Sequence, residues 1–406
     1  MTLYIGFVLH IYQPPTQKPT ILKKIISESY QPLFDLLNRE SYAKMTFNIN
    51  GSLLELLDFY QENKLLESIN SLVKSKQIDL LGSSCYHAIL PLIPEDEIIR
   101  QIQLNEQQII PHFGEKALSS RGFWLPEMAY DFRVIEPLQK KNYSWTIISS
   151  VATPTEELPD NYIPMINDNF IIYFRNDLLS NLISFKNPNV DEFYLAMKGL
   201  KDASKEDYYL ILAMDGETYG HHIKGLIEEF LEPFIQRIKN DDDVQLIKIA
   251  ELPSLFPNKK QVIARSSTWS TSEEDLHRGV PFPLWSDPEN KIHNLQLTVM
   301  NHTLYLVSQA ESKCKTDEIS IDSQEKFTQA RNWLDKGLHS CQLWWASGKP
   351  WYSEEMILKG LNQLIIASSM ALKVILFSCN NEDDRNKALR LFDEIFDAQK
   401  EIYLLV

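Results

Sequence analysis

An α/β fold, with parallel strands followed by a helical region, is what this sequence predicts, and three observations carry the expectation. Short apolar runs rich in β-branched and aromatic residues recur through the first half of the chain, and patterns of helical spacing lie between most of them. Past about residue 290 the runs cease and only helical patterns remain. The runs are LYIGFVLH (3–10), KMTFNI (44–49), IDLLGSS (78–84), GFWLP (122–126), YSWTIIS (143–149), FIIYF (170–174) and YYLILAM (208–214). Each is of strand length and continuously apolar, as strands of parallel βα units are when both faces are covered. Between them, Leu53 to Lys74 carries apolar residues at three- and four-residue steps behind the possible cap Ser52. The segment PEDEIIRQIQLNEQQII opens with proline and acids, which suits the start of a helix and its dipole. Seven strands fit a doubly wound sheet or a barrel, and periodicity does not choose; both architectures present their sites at the carboxyl ends of the strands. After them, 291–311, 322–341, 353–378 and 383–403 read as helices joined by polar turns such as SCNNEDD. The expected division is therefore a strand-bearing domain over 1–290 and a helical bundle packed on it over 291–406.

Composition narrows the function. The chain has 406 residues, 44% hydrophobic and 23% charged, so it is long enough for one large core plus an appended part. Forty basic residues against 55 acidic ones leave a net charge of −15, a field that repels phosphate backbones and anionic membranes. Nucleic acid and membrane are therefore not expected partners. Cys85, Cys314, Cys341 and Cys379 are widely spaced, without a C-x-x-C pair, which suits free thiols in a reducing compartment. The start MTLYIGFVLHIYQPP lacks a basic leader and a long apolar segment, and LIIASSMALKVILFSC is interrupted by Lys373 and serines. A cytoplasmic, untethered protein is the expectation.

The strand ends collect polar residues. His10 follows the first run, His87 the third, Glu127 the fourth, and Asp215 and Glu217 the seventh. An acid after Trp-Leu-Pro is ordinarily a solvated loop residue, yet parallel strands in a closed sheet would deliver His10, His87, Glu127 and Asp215 to one mouth. Two carboxylates across a cleft are the minimum equipment for cleaving a glycosidic bond, one as nucleophile or base and the other as acid. Divalent-metal chemistry is the alternative for such a cluster, but H-x-H, H-x-x-x-H and H-E-x-x-H are all missing, and the adjacent His221 and His222 point apart on a helix or strand. Neither a Walker loop nor a G-x-G-x-x-G turn occurs, so no phosphate-bearing cofactor is expected, and none of any other kind. Trp124, Trp269 and Trp285 lie near the strand ends or in STWSTSEEDLHRGVPFPLWSDPENKIH, and HSCQLWWASGKPWY adds Trp344, Trp345 and Trp351. Each alone is as readily a packing residue as a platform for a sugar ring; as a set in loops beside acids they lean towards carbohydrate.

In order and spacing, HIYQPP (10–15), CYHAILPLIP (85–94), GFWLPEMAY (122–130), AMDGETYGHH (213–222) and STWSTSEEDLHRGVPFPLW (267–285) resemble the five signature regions of glycoside hydrolase family 57. The resemblance spans roughly residues 1 to 300. It implies an incomplete (β/α)7 barrel followed by helices, and a retaining, metal-independent mechanism on α-glucans or related α-glycosides, amylase-like hydrolysis first. By position Glu127 matches the nucleophile and Asp215 the acid/base. His10 and His87 would bind hydroxyls near the scissile bond, Glu217 and His222 would orient Asp215 or the sugar, and Trp124, Trp269, Asp275 and Trp345 complete the expected substrate-contacting set. The first region departs from the family's usual shorter His-Gln-Pro, which leaves the role of Gln13 open. Three other readings stay open: an α-glucan transferase or branching enzyme on the same site, a metal-dependent carbohydrate deacetylase, and a glycan-binding protein without catalysis. An oligo- or polysaccharide is the expected partner.

Overall fold

The computed structural model describes residues 2–155, 158–200, 206–316, 320–378 and 381–406; Cys379 and part of the SCNNEDD turn lie outside them. The chain divides into two compact units, Met1–Cys85 with Leu90–Trp269, and Tyr86–Ile89 with Ser270–Val406. Apart from Tyr86–Ile89, the second unit runs from Ser270, where the expected division fell at 291.

The first unit is an incomplete (β/α)7 barrel. Its strands are β1 (Leu3–Ile11), β2 (Met45–Ile49), β3 (Ile78–Leu81), β4 (Gly122–Phe123), β5 (Trp145–Ser149), β6 (Ile163–Asn167), β7 (Phe170–Arg175), β8 (Tyr208–Asp215), β9 (Val244–Ile247) and β10 (Lys259–Gln261). One sheet runs β3-β2-β1-β8 with β9 also on β1, and the other runs β10-β6-β7-β5-β4. The seven runs singled out above are β1, β2, β3, β4, β5, β7 and β8, and every pairing among them is parallel. Continuous apolar runs carry that arrangement: β2 and β5 are buried along their whole length and β8 along all but its last residue. A parallel bridge between Gly82 and Phe123 continues one sheet into the other, with Gly82 N–H donating to Gly122 O at 2.9 Å and Trp124 N–H to Gly82 O at 2.8 Å. Glycine is required there, because a Cβ on Gly82 would lie 2.2 Å from the Tyr143 hydroxyl and one on Gly122 2.2 Å from the Trp145 ring. Across the seam between β7 and β8, Asn176 N–H donates to Ile211 O at 2.8 Å and Arg175 Nε to Ala213 O at 2.6 Å.

Two local expectations are corrected. Leu53 to Lys74 forms two helices, Gly51–Phe59 and Asn63–Lys74, parted at Gln61, whose φ is 57°. Ser52 does not cap the first of them: its hydroxyl donates to Gln13 O at 2.9 Å, and Asn50 holds the cap position. The helix Glu95–Phe113 does start on acids, with Glu95, Asp96 and Glu97 in its first turn.

In the second unit the four expected helices are Lys291–Thr316, Ile321–Gly337, Glu354–Ser378 and Glu382–Leu405, with shorter ones at Glu273–His277, Pro283–Ser286 and Cys341–Ala346. Glu354–Ser378 is long and apolar enough to cross a membrane by composition alone, but 56% of its most apolar window is buried in the protein.

Candidate active site

The site is built where β4, β8 and β1 end in the barrel unit. β4 is only two residues long, so the chain leaves the sheet at once through Trp124 and Leu125 into a tight turn, Pro126–Met128. Inside it Glu127 takes φ 58°, ψ 18° and Met128 φ 50°, left-handed conformations that cost a non-glycine residue on the order of 1 kcal/mol or more and are kept where the surroundings enforce them. The enforcement is visible. Tyr130 and Ser267 exchange backbone hydrogen bonds at 2.8 and 3.1 Å, and Trp269 N–H donates to Glu127 O at 3.2 Å. The same pairing brings the Trp269 indole to the carboxyl, where Nε1 donates to Glu127 Oε2 at 2.9 Å. Burial, and after it the charge of Asp215, push the Glu127 carboxyl up to about 8, while the Trp269 bond pulls the other way.

Asp215 is the last residue of β8 and stands in register with His10 of β1. It keeps part of its surface open, as Glu127 does. Burial raises its pKa, and the nearby charges of His10 and Arg175 oppose that rise. His10 is 4% exposed, so desolvation holds it in the neutral form. Its Nδ1 meets Asn48 Oδ1 at 2.7 Å, which places the ring proton on Nδ1 and leaves Nε2 as an acceptor. The ring stacks on Trp124 with centroids 5.0 Å apart and planes at 13°. Trp124 is fully buried beneath it, edge-on to Trp269 at 5.6 Å, so it supports the two rings that stand above it.

Glu217 follows in the turn after β8 and is buried. Its Oε1 accepts from the Tyr30 hydroxyl and from Gln13 Nε2 at 2.8 Å, and Gln13 Nε2 also reaches Tyr30 Oη at 2.9 Å. Burial first and the Asp215 charge second push it up to about 8 against those two bonds. Gln13, left open by the sequence, therefore works as a donor to Glu217. His222 is exposed, with its backbone N–H on Glu217 O at 2.8 Å.

Six of the expected residues, His10, Trp124, Glu127, Asp215, Glu217 and Trp269, meet at this place, and His222 flanks it. His87, Asp275 and Trp345 belong to the other unit. There His87 takes φ 60° and its Nδ1 lies 2.8 Å from Ser340 Oγ. Asp275 Oδ2 accepts from Ser272 N–H at 3.0 Å in a capping box at the start of helix Glu273–His277. Trp345 is half-buried, edge-on to Trp344 at 4.8 Å. Three residues of the site escaped the sequence reading. Arg175 ends β7 and was detectable by the strand-end rule that found Glu127 and Asp215; Asn48 sits at the end of β2 in FNIN; Tyr30, in a helical stretch, carried no signal. Among the described residues no three His, Cys, Asp or Glu side chains gather as a metal ion would need.

Fold and site together define a barrel of the (β/α)7 type carrying two part-open acids at the ends of separate strands, a neutral histidine and packed indoles, equipment suited to a glycosidic bond. The chain belongs to glycosyl hydrolase family 57, whose family model matches residues 4–264. It is 26% identical over 266 residues to an α-amylase of Pyrococcus horikoshii, a match covering 62% of this chain and 40% of the relative. To a 4-α-glucanotransferase of Thermococcus kodakarensis it is 24% identical over 315 residues, 72% of this chain and 46% of the relative. The chain thus spans less than half the length of these curated relatives. Among solved structures it shares its fold with the α-amylase AmyC of Thermotoga maritima at a TM-score of 0.70, 16% identity and 98% coverage of both chains. A branching enzyme of Pyrococcus horikoshii gives a TM-score of 0.73 at 14% identity, covering 99% of this chain and 96% of that one.

Proposed function

We propose that this protein is a retaining glycoside hydrolase that cleaves α-glucosidic bonds, with Glu127 as nucleophile and Asp215 as acid/base. The observation that carries the reading is the pairing of Glu127, held in a left-handed turn by Trp269, with an Asp215 close enough for its charge to act on Glu127. In the first step a Glu127 oxygen attacks the anomeric carbon as the bond to the leaving oxygen breaks and the Asp215 proton passes to that oxygen. In the second, Asp215 takes a proton from water, whose oxygen attacks the same carbon and releases Glu127. Burial and the charge of Asp215 raise Glu127 to about 8, and Asp215 is raised too, so the pair retains a proton near neutrality. The first step needs it on Asp215, and two contacts favour that: the Trp269 N–H on Glu127 stabilises the ionised nucleophile, and the leaving oxygen of a bound sugar accepts from protonated Asp215. Neutral His10, with Nε2 as acceptor, suits a sugar hydroxyl.

Relatives named 4-α-glucanotransferase and branching enzyme support a second use of the same covalent intermediate, in which a sugar hydroxyl replaces water. Four widely spaced cysteines without a C-x-x-C pair support a reducing, cytoplasmic setting. Incubation with maltooligosaccharides and aryl α-glucosides, with products followed by NMR, tests the reading. The α-anomer should appear first, and Glu127→Gln should lower kcat at least about a thousandfold, on the order of 4 kcal/mol of barrier, while substrate still binds. First appearance of the β-anomer, or a variant within about tenfold of wild type, refutes the assignment.

A further inference from the structure

Arg175 is a buried cation, 3% exposed, at the end of β7, and nothing in the two-acid mechanism uses it. Its guanidinium is held at all three nitrogens. Nε donates to Ala213 O at 2.6 Å, Nη1 pairs with Asp177 Oδ1 at 2.5 Å, and Nη2 donates to Asn181 Oδ1 at 2.8 Å. Asp177 is itself fixed, its Oδ2 accepting from Ser149 Oγ at 2.6 Å and Ser150 Oγ at 2.5 Å. A side chain gripped this way cannot swing, so whatever it touches is held as well. It touches two things that matter. Ala213 stands two residues before Asp215 on β8, and the guanidinium carbon lies 5.8 Å from the centroid of the Trp269 ring, whose Nε1 donates to Glu127. A seam staple alone would need the Ala213 bond; it would not need a cation against the indole that holds the opposite acid.

We propose that Arg175 is a positioning residue for both carboxylates, seating Trp269 against Glu127 on one side and, through the Ala213 carbonyl and its own positive charge, seating Asp215 on the other. The role rests on the hydrolase reading above and deepens it. Asp215 is faced by His10 from β1, Arg175 from β7, Glu127 from the turn after β4, Glu217 from the turn after β8 and Tyr30 from the helical stretch between β1 and β2; Arg175 is the one permanent cation among them, and its charge opposes the rise of Asp215.

The test compares wild type, Arg175→Gln and Arg175→Lys. In Arg175→Gln the loss of the cation lets Asp215 hold its proton to higher pH, so the basic limb of the kcat/KM profile moves up by about one pH unit. The acidic limb rises too, because a loosened Trp269 bonds Glu127 less well. Lysine keeps the charge but not the fork, so Arg175→Lys should leave the basic limb in place and move the acidic one. A second readout needs no turnover: the pH titration of Trp269 emission, isolated by subtracting the same curve for Trp269→Phe, should shift its midpoint upward in Arg175→Gln. Limbs and midpoint unchanged in both variants, with at most a uniform drop in kcat, reduce Arg175 to a staple and overturn the proposal. If wild type cleaves no α-glucoside, the hydrolase reading fails, and the Trp269 titration still decides whether Arg175 seats that indole.

Discussion

Glu217 shows what a buried acid does to a fold. Its carboxyl is pushed from an ordinary 4.5 to about 8, first by burial and then by Asp215, although Tyr30 and Gln13 both donate to it. The folded chain therefore keeps a proton that the unfolded chain gives up, so the stability linked to this group is fully present below pH 4.5 and lost as pH rises through about 8. Glu127 adds a loss in the same window and for the same first cause. An amide at position 217 can still accept at one oxygen and has no charge to bury. Glu217→Gln should therefore gain stability on wild type between pH 5 and pH 8, by about 2 kcal/mol at the upper end, in urea unfolding at the two pH values. Equal pH slopes for the two proteins would mean that the Glu217 proton is not linked to folding.

Among the elements, β4 has the largest consequence for its size. Its two residues join the sheets through the Gly82–Phe123 bridge and then release the chain into the turn that strains Glu127. Close approach makes this possible, since Trp145 and Tyr143 lie over the two glycines. Gly122→Ala places a Cβ 2.2 Å from the Trp145 ring, which is itself nearly buried and tied by Nε1 to Ser120 O at 2.8 Å. We expect it to cost about 2 kcal/mol in urea unfolding, as overpacking does, with a drop in kcat because Glu127 moves with the strand end. A neutral effect on stability would mean that the Trp145 ring gives way more easily than its bond to Ser120 O implies.

For the whole molecule, the question is where the most apolar helix belongs. Glu354–Ser378 carries Ala367 with no exposed surface and Phe377 at 76% exposure, a division that suits a helix with one face in a protein core. Ala367→Asp should unfold or strongly destabilise the helical unit, an unpaired buried charge costing several kcal/mol, while Phe377→Asp should leave the melting temperature within about 2 °C of wild type. A membrane-seated helix would reverse part of that outcome: Phe377→Asp would then release the protein from vesicles. The net charge of −15 acts at the same scale, repelling anionic surfaces and leaving neutral glycans unopposed.

The seven parallel strands were legible because the signal is local: a strand covered on both faces must be apolar at every position, as VLHI in β1 and YYLILAM in β8 are, apart from the polar residues at their ends. Glu127 and Asp215 were legible for the complementary reason, as acids placed where such runs stop. The short strands β6, β9 and β10 were not, since β10 is the exposed KKQ and carries no apolar pattern. Chain tracing in space decided the rest. Only the pairing of 267–269 with 127–130 brings Trp269 to Glu127, only the seam between β7 and β8 brings Arg175 beneath that indole, and Tyr30 reaches Glu217 across 187 positions of sequence. His87, placed by the strand-end rule with His10, lies in the compact unit that holds Ser340, its Nδ1 2.8 Å from Ser340 Oγ. Composition dictates which residues must be covered, because burial is a property of each side chain; which distant residue covers them depends on long-range packing that no local pattern encodes.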